Sequence, residues 1–317
     1  MDFNEFYKNK RVLITGADGF MGSHLTERLL GYNALVSVYI HNHELKNLNH
    51  VKNKLKEIMI GNISDKETTE LIIKNNPQII FHLAANDYIP DSIKNPEEVN
   101  KTNIIGSFNV LEAAKSLKDK GLERLVFTSS CVVYGTNLNA MKETDLFKPN
   151  TPYAATKGAG DLFSHAYHHT YNLPISIIRP FNTYGPKKTK DVIPLFIKKA
   201  LKNEEIGLDG GGKATRDFTY VDDMIDAFLI MGMDEKAIGE AVNFGSGKDI
   251  SIKDLAEKIV EYCTSDSKIV SKPERPGQDI RSCCDNSKAK NLFNWQPKVL
   301  IDEGIKRNIE WVKEHEL

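Results

Sequence analysis

The sequence predicts an α/β fold: an open parallel sheet, doubly wound, with helices on both faces. Three observations carry that reading. Short β-branched runs alternate with helical stretches from Lys10 to Pro180, the alternation that a parallel sheet with crossover helices requires. The first run, RVLITG, is apolar and β-branched through VLIT, as a strand buried on both faces is. It ends in a glycine-rich loop that opens a helix, TGADGFMGSHL. Right-handed crossovers then give the doubly wound topology.

The elements follow in order. After the glycine loop, 23–30 has helical spacing. The run ALVSVYI (34–40) is a second strand, 56–60 a third, and 66–74 a helix. QIIFHLAA (78–85) is a fourth strand. A long amphipathic helix is expected over 102–118, a fifth strand over 124–130 and a helix over 153–171. ISIIRP (Ile175–Pro180) is a sixth strand. Beyond Pro180 the rhythm weakens and prolines and glycines become frequent, with helices expected over 192–201 and 252–263. The expected organisation is therefore a sheet domain over 1–180, to which 220–245 returns, and a smaller C-terminal region over 181–317 covering the carboxyl edge of the sheet.

Composition excludes several classes. With 42 basic and 43 acidic side chains among 317 residues, the chain lacks the basic excess of a dedicated nucleic-acid binder. No apolar run approaches the roughly 20 residues of a membrane span, and MDFNEFYKNK carries no apolar signal region. A cytoplasmic protein is expected. Cys131, Cys263, Cys283 and Cys284 fit a reducing compartment, and their spacing resembles no zinc site.

The loop between the first strand and first helix places Gly16, Gly19 and Gly22 where a tight turn, close backbone approach and close helix packing are needed. Free amides at the helix start then face a diphosphate. Phe20 and Met21 complete that turn. The reading is a dinucleotide site in a Rossmann fold. The second strand ends in YIHNHE, so Tyr39, His41 or Asn42 stands where an acid usually holds the adenosine ribose. No arginine lies there to favour a 2′-phosphate, which points to NAD.

Two further segments fix the chemistry. TSSCVVYG ends the fifth strand at the edge where ligands bind, and YAATK sets Tyr153 and Lys157 at i and i+4 on one helical face. An ammonium beside a phenol favours the phenolate, so Lys157 is expected to lower the Tyr153 pKa. Tyr153 can then accept a hydroxyl proton as hydride leaves the same carbon, with Ser130 hydrogen-bonding the reacting oxygen.

With these residues in place, the chain resembles an extended short-chain dehydrogenase/reductase of the NAD-dependent epimerase/dehydratase family acting on nucleotide sugars. The similarity runs through TGADGFMGSH, HLAA, TNIIGSFNVLEAA, TSSCVVYG, YAATK, IIRPFNTYGP, TRDFTYVDD, VNFGSG and RPGQD followed by DNSKA. It implies that Gly16, Gly19 and Gly22 line the cofactor diphosphate. It implies that Asn62 and Ile63 lie at the adenine, where the family usually has Asp rather than Asn. Leu83, Ala84 and Ala85 would pass the cofactor ribose, and Asn103 would support the sheet and the active site. Ser130, Tyr153 and Lys157 would form the catalytic set. Asn182 would contact the sugar nucleotide, Arg216 and Arg275 would grip its diphosphate, and Asp279 would sit near its ribose. Arginine suits phosphates because its planar donors bind bidentately.

The resemblance also bears on the reaction. Dehydratases of the family carry an Asp–Glu pair directly after the hydroxyl residue, and decarboxylases commonly carry the glutamate. Here the two positions are Cys131 and Val132, and Val132 cannot act as a base. A 4-epimerase needs neither group. The expected function is inversion of carbon 4 of an NDP-hexose of the UDP-glucose or UDP-GlcNAc type. The alternatives are a dehydratase with displaced acid/base groups, such as Cys131 or Asp87 in HLAANDYIP, and a catalytically silent dinucleotide-binding protein. Asp87 is also a substrate-contact candidate. His165, His168 and His169 have a spacing that metals use, but no acidic or cysteine partner is apparent in the sequence. No metal is expected, and their face fits an interface between copies instead, because extended members often dimerise through this helix and 102–118. The expected partners are a nucleotide-sugar substrate and a second copy of the chain, with no nucleic acid and no membrane.

Overall fold

The computed structural model describes residues 2–274 and 279–316. The chain divides into two compact units. The first comprises Met1–Val133, Phe147–Arg179 and Ile225–Val242; the second comprises Tyr134–Leu146, Pro180–Met224 and Asn243–Leu317.

The first unit is built on a seven-stranded sheet. Its order is Ala241–Phe244, Ile175–Pro180, Arg124–Thr128, Ile79–His82, Arg11–Thr15, Leu35–Ile40 and Glu57–Ile60. Every pairing among the first six strands of the chain is parallel. The order reverses between Arg11–Thr15 and Ile79–His82, so their carboxyl ends form the crevice where ligands of such sheets bind. The four central strands are buried on both faces, which is why they read as continuous apolar runs. Leu13, Ile80, Leu125, Phe127, Ile175 and Ile177 join Val110, Leu111, Ala113 and Ala114 in the main core cluster. Each large side chain there contributes roughly 1.5–3 kcal/mol by burial.

Boundaries shift where local chemistry intervenes. The fourth strand stops at His82, and Leu83–Ala85 leave the ladder. The helix expected over 102–118 begins instead with a π-helical turn, Lys101–Ile105, before the α-helix Gly106–Leu117. Such a turn re-aims a side chain within a helix, and Asn103 sits in it. The helix Pro152–Tyr171 approaches the sheet closely at Gly160, where a Cβ would lie 2.4 Å from Phe127 Cζ.

Segment Ile225–Val242 is tied to the first unit by hydrogen bonds onto the end of helix Val221–Met233. Tyr7 Oη donates to Leu229 O at 2.7 Å, Ser176 Oγ to Met231 O at 2.9 Å and Arg124 Nη1 to Asp234 O at 2.9 Å. In the second unit, strand Thr215–Tyr220 is central. It pairs with Asp249–Ser251, Arg281–Ser282 and Asn182–Tyr184. The glycine run 210–212 closes a turn after strand Ile206–Asp209, with positive φ at all three.

Candidate functional site

The glycine loop lies at the carboxyl end of the first strand, in the crevice of the reversal. Gly16 has φ +69°, and a Cβ there would lie 2.7 Å from Ala84 N. A Cβ on Gly22 would lie 2.3 Å from Gly16 O. The loop is therefore closed against its own chain, and no larger side chain fits at either point. Gly19 caps helix Phe20–Gly31 without a side-chain hydrogen bond, and the first turn carries no acid. Its N-terminal amides and positive dipole end suit an anion.

The one acid within the loop, Asp18, is turned to other work. Its carboxylate accepts from the amides of Lys46, Asn47 and Leu48 at 2.8, 2.8 and 3.0 Å. The cradle and its charge therefore fit a dinucleotide diphosphate. Asn62 and Ile63 follow the third strand. Asn62 Oδ1 accepts from Ser64 N and Oγ, and Ile63 is buried.

A buried polar network links this loop to the helix that carries Tyr153. Thr15 Oγ1, beside Gly16, lies 2.7 Å from His82 Nδ1 and accepts from Ala84 N at 3.2 Å. His82 Nε2 lies 3.0 Å from Ser107 Oγ, which donates to Asn103 O. Burial first, and Lys157 second, pull the His82 pKa down to about 3, so the imidazole is neutral here. Asn103 Oδ1 accepts from Asn86 N at 2.8 Å, while its Nδ2 donates to Asn86 O at 3.1 Å and to Thr156 Oγ1 at 2.9 Å. Thr156 Oγ1 in turn donates to Tyr153 O at 2.8 Å.

Ser130, Tyr153 and Lys157 come together in the first unit. The Tyr153 hydroxyl is hydrogen-bonded to the Ser130 side chain, and Asp87 and Cys131 act on it electrostatically. Lys157 Nζ donates to Thr128 O at 2.8 Å. Tyr153, Lys157 and Cys131 are buried. Burial, then Asp87 and Cys131, hold the Tyr153 pKa well above its ordinary value, against the Ser130 hydrogen bond. The expectation that Lys157 lowers the Tyr153 pKa is therefore corrected for the protein alone, because desolvation of the phenolate outweighs any gain. Burial also brings Lys157 itself down to about 8, with Asp87 opposing.

The second unit holds the other candidates. Arg216 lies on strand Thr215–Tyr220 and Asn182 on its neighbour, where Asn182 is the register partner of Phe218. Arg216 Nη1 donates to Thr215 O at 2.7 Å. Asp279 Oδ1 accepts from Thr136 Oγ1 at 2.9 Å. Arg275 lies outside the described residues.

Sequence reasoning passed over several residues that shape these surroundings. Asp217 accepts from Ser246 N and Oγ, Gly247 N and Cys284 N at 2.6–3.1 Å, and so ties down the GSG loop. Asp223 accepts from Lys298 N and Val299 N, both at 2.9 Å. Asp161 and Arg179 form a buried bidentate pair at 2.8 and 3.0 Å. The signal for that pair was available: an acid one turn after Lys157, and an arginine inside the apolar run ISIIRP.

The family described as GDP-mannose 4,6 dehydratase matches residues 13–308. Among curated relatives, the UDP-glucose 4-epimerase of Mycolicibacterium smegmatis is 33% identical over 96% of this chain and 98% of its own length. The UDP-N-acetyl-alpha-D-glucosaminuronate decarboxylase of Bacillus cytotoxicus is 34% identical over 97% and 99%. Among solved structures, the UDP-glucose 4-epimerase of Thermotoga maritima with UDP-glucose superposes with a TM-score of 0.87 at 30% identity, covering 96% of this chain and 98% of its own. The dTDP-glucose 4,6-dehydratase of Streptomyces venezuelae with NAD bound gives 0.88 at 28% identity, covering 96% and 97%. These matches show that the chain belongs to the extended short-chain dehydrogenase/reductase family of NAD-dependent nucleotide-sugar epimerases and dehydratases.

Proposed function

We propose that the protein is an NAD-dependent nucleotide-sugar 4-epimerase, acting on an NDP-hexose as a homodimer. One observation carries the choice of reaction. Ser130, Tyr153 and Lys157 are gathered at one site, yet the two positions after Ser130 hold a buried thiol, Cys131, and an isopropyl group, Val132. Proton transfer at a sugar hydroxyl is provided for, whereas an acid–base pair for eliminating water is not.

The glycine loop and the first-turn amides of helix Phe20–Gly31 would hold the cofactor diphosphate, with Leu83–Ala85 along the neighbouring strand end. NAD held there would supply reversible hydride transfer at carbon 4, to opposite faces of the ketone in an epimerase. The chain's own task is the proton. The Tyr153 phenol, protonated in the protein alone, first has to lose that proton; its phenolate then accepts the carbon-4 hydroxyl proton and gives it back to the ketone oxygen. Ser130 hydrogen-bonds that phenol and orients the reacting oxygen. Lys157, anchored on Thr128 O, supplies positive charge beside the phenol and a donor for the cofactor ribose. Asn182, Arg216, Arg275 and Asp279 are the proposed contacts of the sugar nucleotide.

Incubation with UDP-, GDP-, dTDP- and CDP-hexoses, read by mass and by stereochemistry, tests the reading. An isomer of unchanged mass is expected. Loss of water, abolished by Cys131→Ala, would establish the dehydratase instead.

A further inference from the structure

We propose that His82 is a positioning residue for the reaction: its ring couples the chain segment beside the glycine loop to the helical turn that carries Tyr153 and Lys157. The role rests on the nucleotide-sugar reading above and adds to it what keeps the cofactor wall and the proton-transfer helix in register. The proton pattern around the ring has one solution. Ser107 Oγ gives its hydrogen to Asn103 O at 2.5 Å, so towards His82 Nε2, 3.0 Å away, it can only accept. Nε2 therefore carries the ring proton. Burial keeps the ring neutral, so Nδ1 is bare and accepts from Thr15 Oγ1 at 2.7 Å. That hydroxyl, its hydrogen committed, accepts from Ala84 N at 3.2 Å. A neutral imidazole offers one donor and one acceptor at fixed separation on a rigid ring. The ring here is buried beside Phe127, with centroids 5.7 Å apart.

Both ends of this chain of bonds reach the site. On one side, Ala84 N is the atom against which Gly16 is closed: a Cβ on Gly16 would lie 2.7 Å from it. On the other side, Asn103, whose carbonyl takes the Ser107 hydrogen, clasps the amide and carbonyl of Asn86 at 2.8 and 3.1 Å. It also donates to Thr156 Oγ1 at 2.9 Å. Thr156 donates to Tyr153 O and is the residue before Lys157. The segment from Ala84 to Asn86 is thus fastened at both ends, to Thr15 and to Asn103, and His82 joins the two fastenings. Leu83–Ala85 lie along the proposed cofactor site, so a slip between this segment and helix Pro152–Tyr171 would displace NAD from the phenol. Hydride and proton transfer need both in place, and a misplacement of about 1 Å can cost about 100-fold in rate.

The test uses the full chain with NAD and whichever of the UDP-, GDP-, dTDP- and CDP-hexoses the wild type converts. His82→Leu fills the space without either bond. It should keep NAD affinity within a few-fold and the sugar-nucleotide KM near wild type, while kcat per NAD-binding site falls about 10–100-fold. His82→Gln, which can still donate to Ser107, should recover part of that loss. Nitrogen-15 spectra of the holoenzyme, assigned by the signal lost in His82→Gln, should show the neutral Nε2–H tautomer at neutral pH. If His82→Leu does not fold, Thr15→Val removes one of the same bonds from the other partner and should lower kcat likewise. A folded His82→Leu with wild-type kcat would overturn the role, as would the Nδ1–H tautomer, a His82→Gln no better than His82→Leu, or an unchanged kcat in Thr15→Val. Each of these would leave the epimerase reading standing. If the wild type converts none of the sugar nucleotides, the nucleotide-sugar reading fails, and the role of His82 falls with it.

Discussion

At the scale of single residues, the site sets chemistry against stability. Tyr153 is buried and its phenol is held protonated in the protein alone. Tyr153→Phe keeps the ring and its packing but removes the group proposed to move the proton. Turnover should fall by about 10²–10⁴-fold, while NAD affinity measured by fluorescence titration stays within a few-fold of wild type. Lys157 shows the opposing demand. Burial takes its pKa from 10.5 to about 8, a displacement worth about 3 kcal/mol. Below about pH 8 the folded and unfolded chains both hold the proton, and the full cost of burying the ammonium stays. Between about 8 and 10.5 the folded chain has released it while the unfolded chain has not, so stability climbs with pH. Lys157→Met should therefore be more stable than wild type at pH 7, by up to about 3 kcal/mol, with the gap closing towards pH 10. Thermal unfolding across that range measures it. A less stable Lys157→Met at pH 7 would mean that the hydrogen bond to Thr128 O outweighs the buried charge.

At the scale of elements, buried polar pairs fix how helix meets strand. Asp161 lies one turn beyond Lys157 on helix Pro152–Tyr171, and Arg179 lies near the end of strand Ile175–Pro180. Their bidentate pair, with the Arg179 guanidinium 4.9 Å from the Phe147 ring centre, fastens the helix that carries Tyr153 and Lys157 to the sheet. Asp161→Ala would leave that guanidinium buried without its anion, which typically costs about 3–5 kcal/mol. Chemical denaturation should show a loss of that order. A loss under about 1 kcal/mol would mean that the guanidinium reaches solvent. The same elements show what was legible in the sequence. Strand Ile175–Pro180 and helix Val192–Leu201 fall where the periodicity puts them, because an uninterrupted apolar run or a clear helical stripe leaves little choice. The π-helical turn at Asn103 was not legible, since Asn103's side chain bonds the Asn86 backbone, a contact that local propensity does not record. Strands Asn182–Tyr184, Asp249–Ser251 and Arg281–Ser282 were missed because they are two or three residues long and carry no period of their own. The tight glycine loop could be read because it needs a particular residue type at fixed spacing. The carboxylates that hold the second unit together, Asp217 and Asp223, could not, because their partners are backbone amides.

At the scale of the whole chain, the path passes repeatedly between the two units, so neither can be excised by a single cut. Among the described residues no helix is long and apolar enough to cross a membrane. The first unit exposes several large apolar side chains. Ile105 (45% exposed) and Phe108 (42%) lie on the segment Lys101–Leu117, and Leu162 (61%) and Phe163 (44%) on helix Pro152–Tyr171. The two helices are neighbours: Tyr167 Oη donates to Glu112 Oε1 at 2.6 Å, and the Phe108 and Tyr167 rings meet edge to face. The proposed homodimer would cover these side chains. Paired against its own copy by a two-fold axis, such a face is self-complementary. A stable dimer needs about 800 Å² from each partner, which two helices of this length can supply. Wild type should sediment as a dimer at micromolar concentration. Leu162→Glu combined with Phe108→Glu should give a folded monomer of unchanged far-ultraviolet circular dichroism, because both side chains already face outward. A wild-type monomer in solution would remove the homodimer from the proposal, and a double variant that stays dimeric would move the interface to another face.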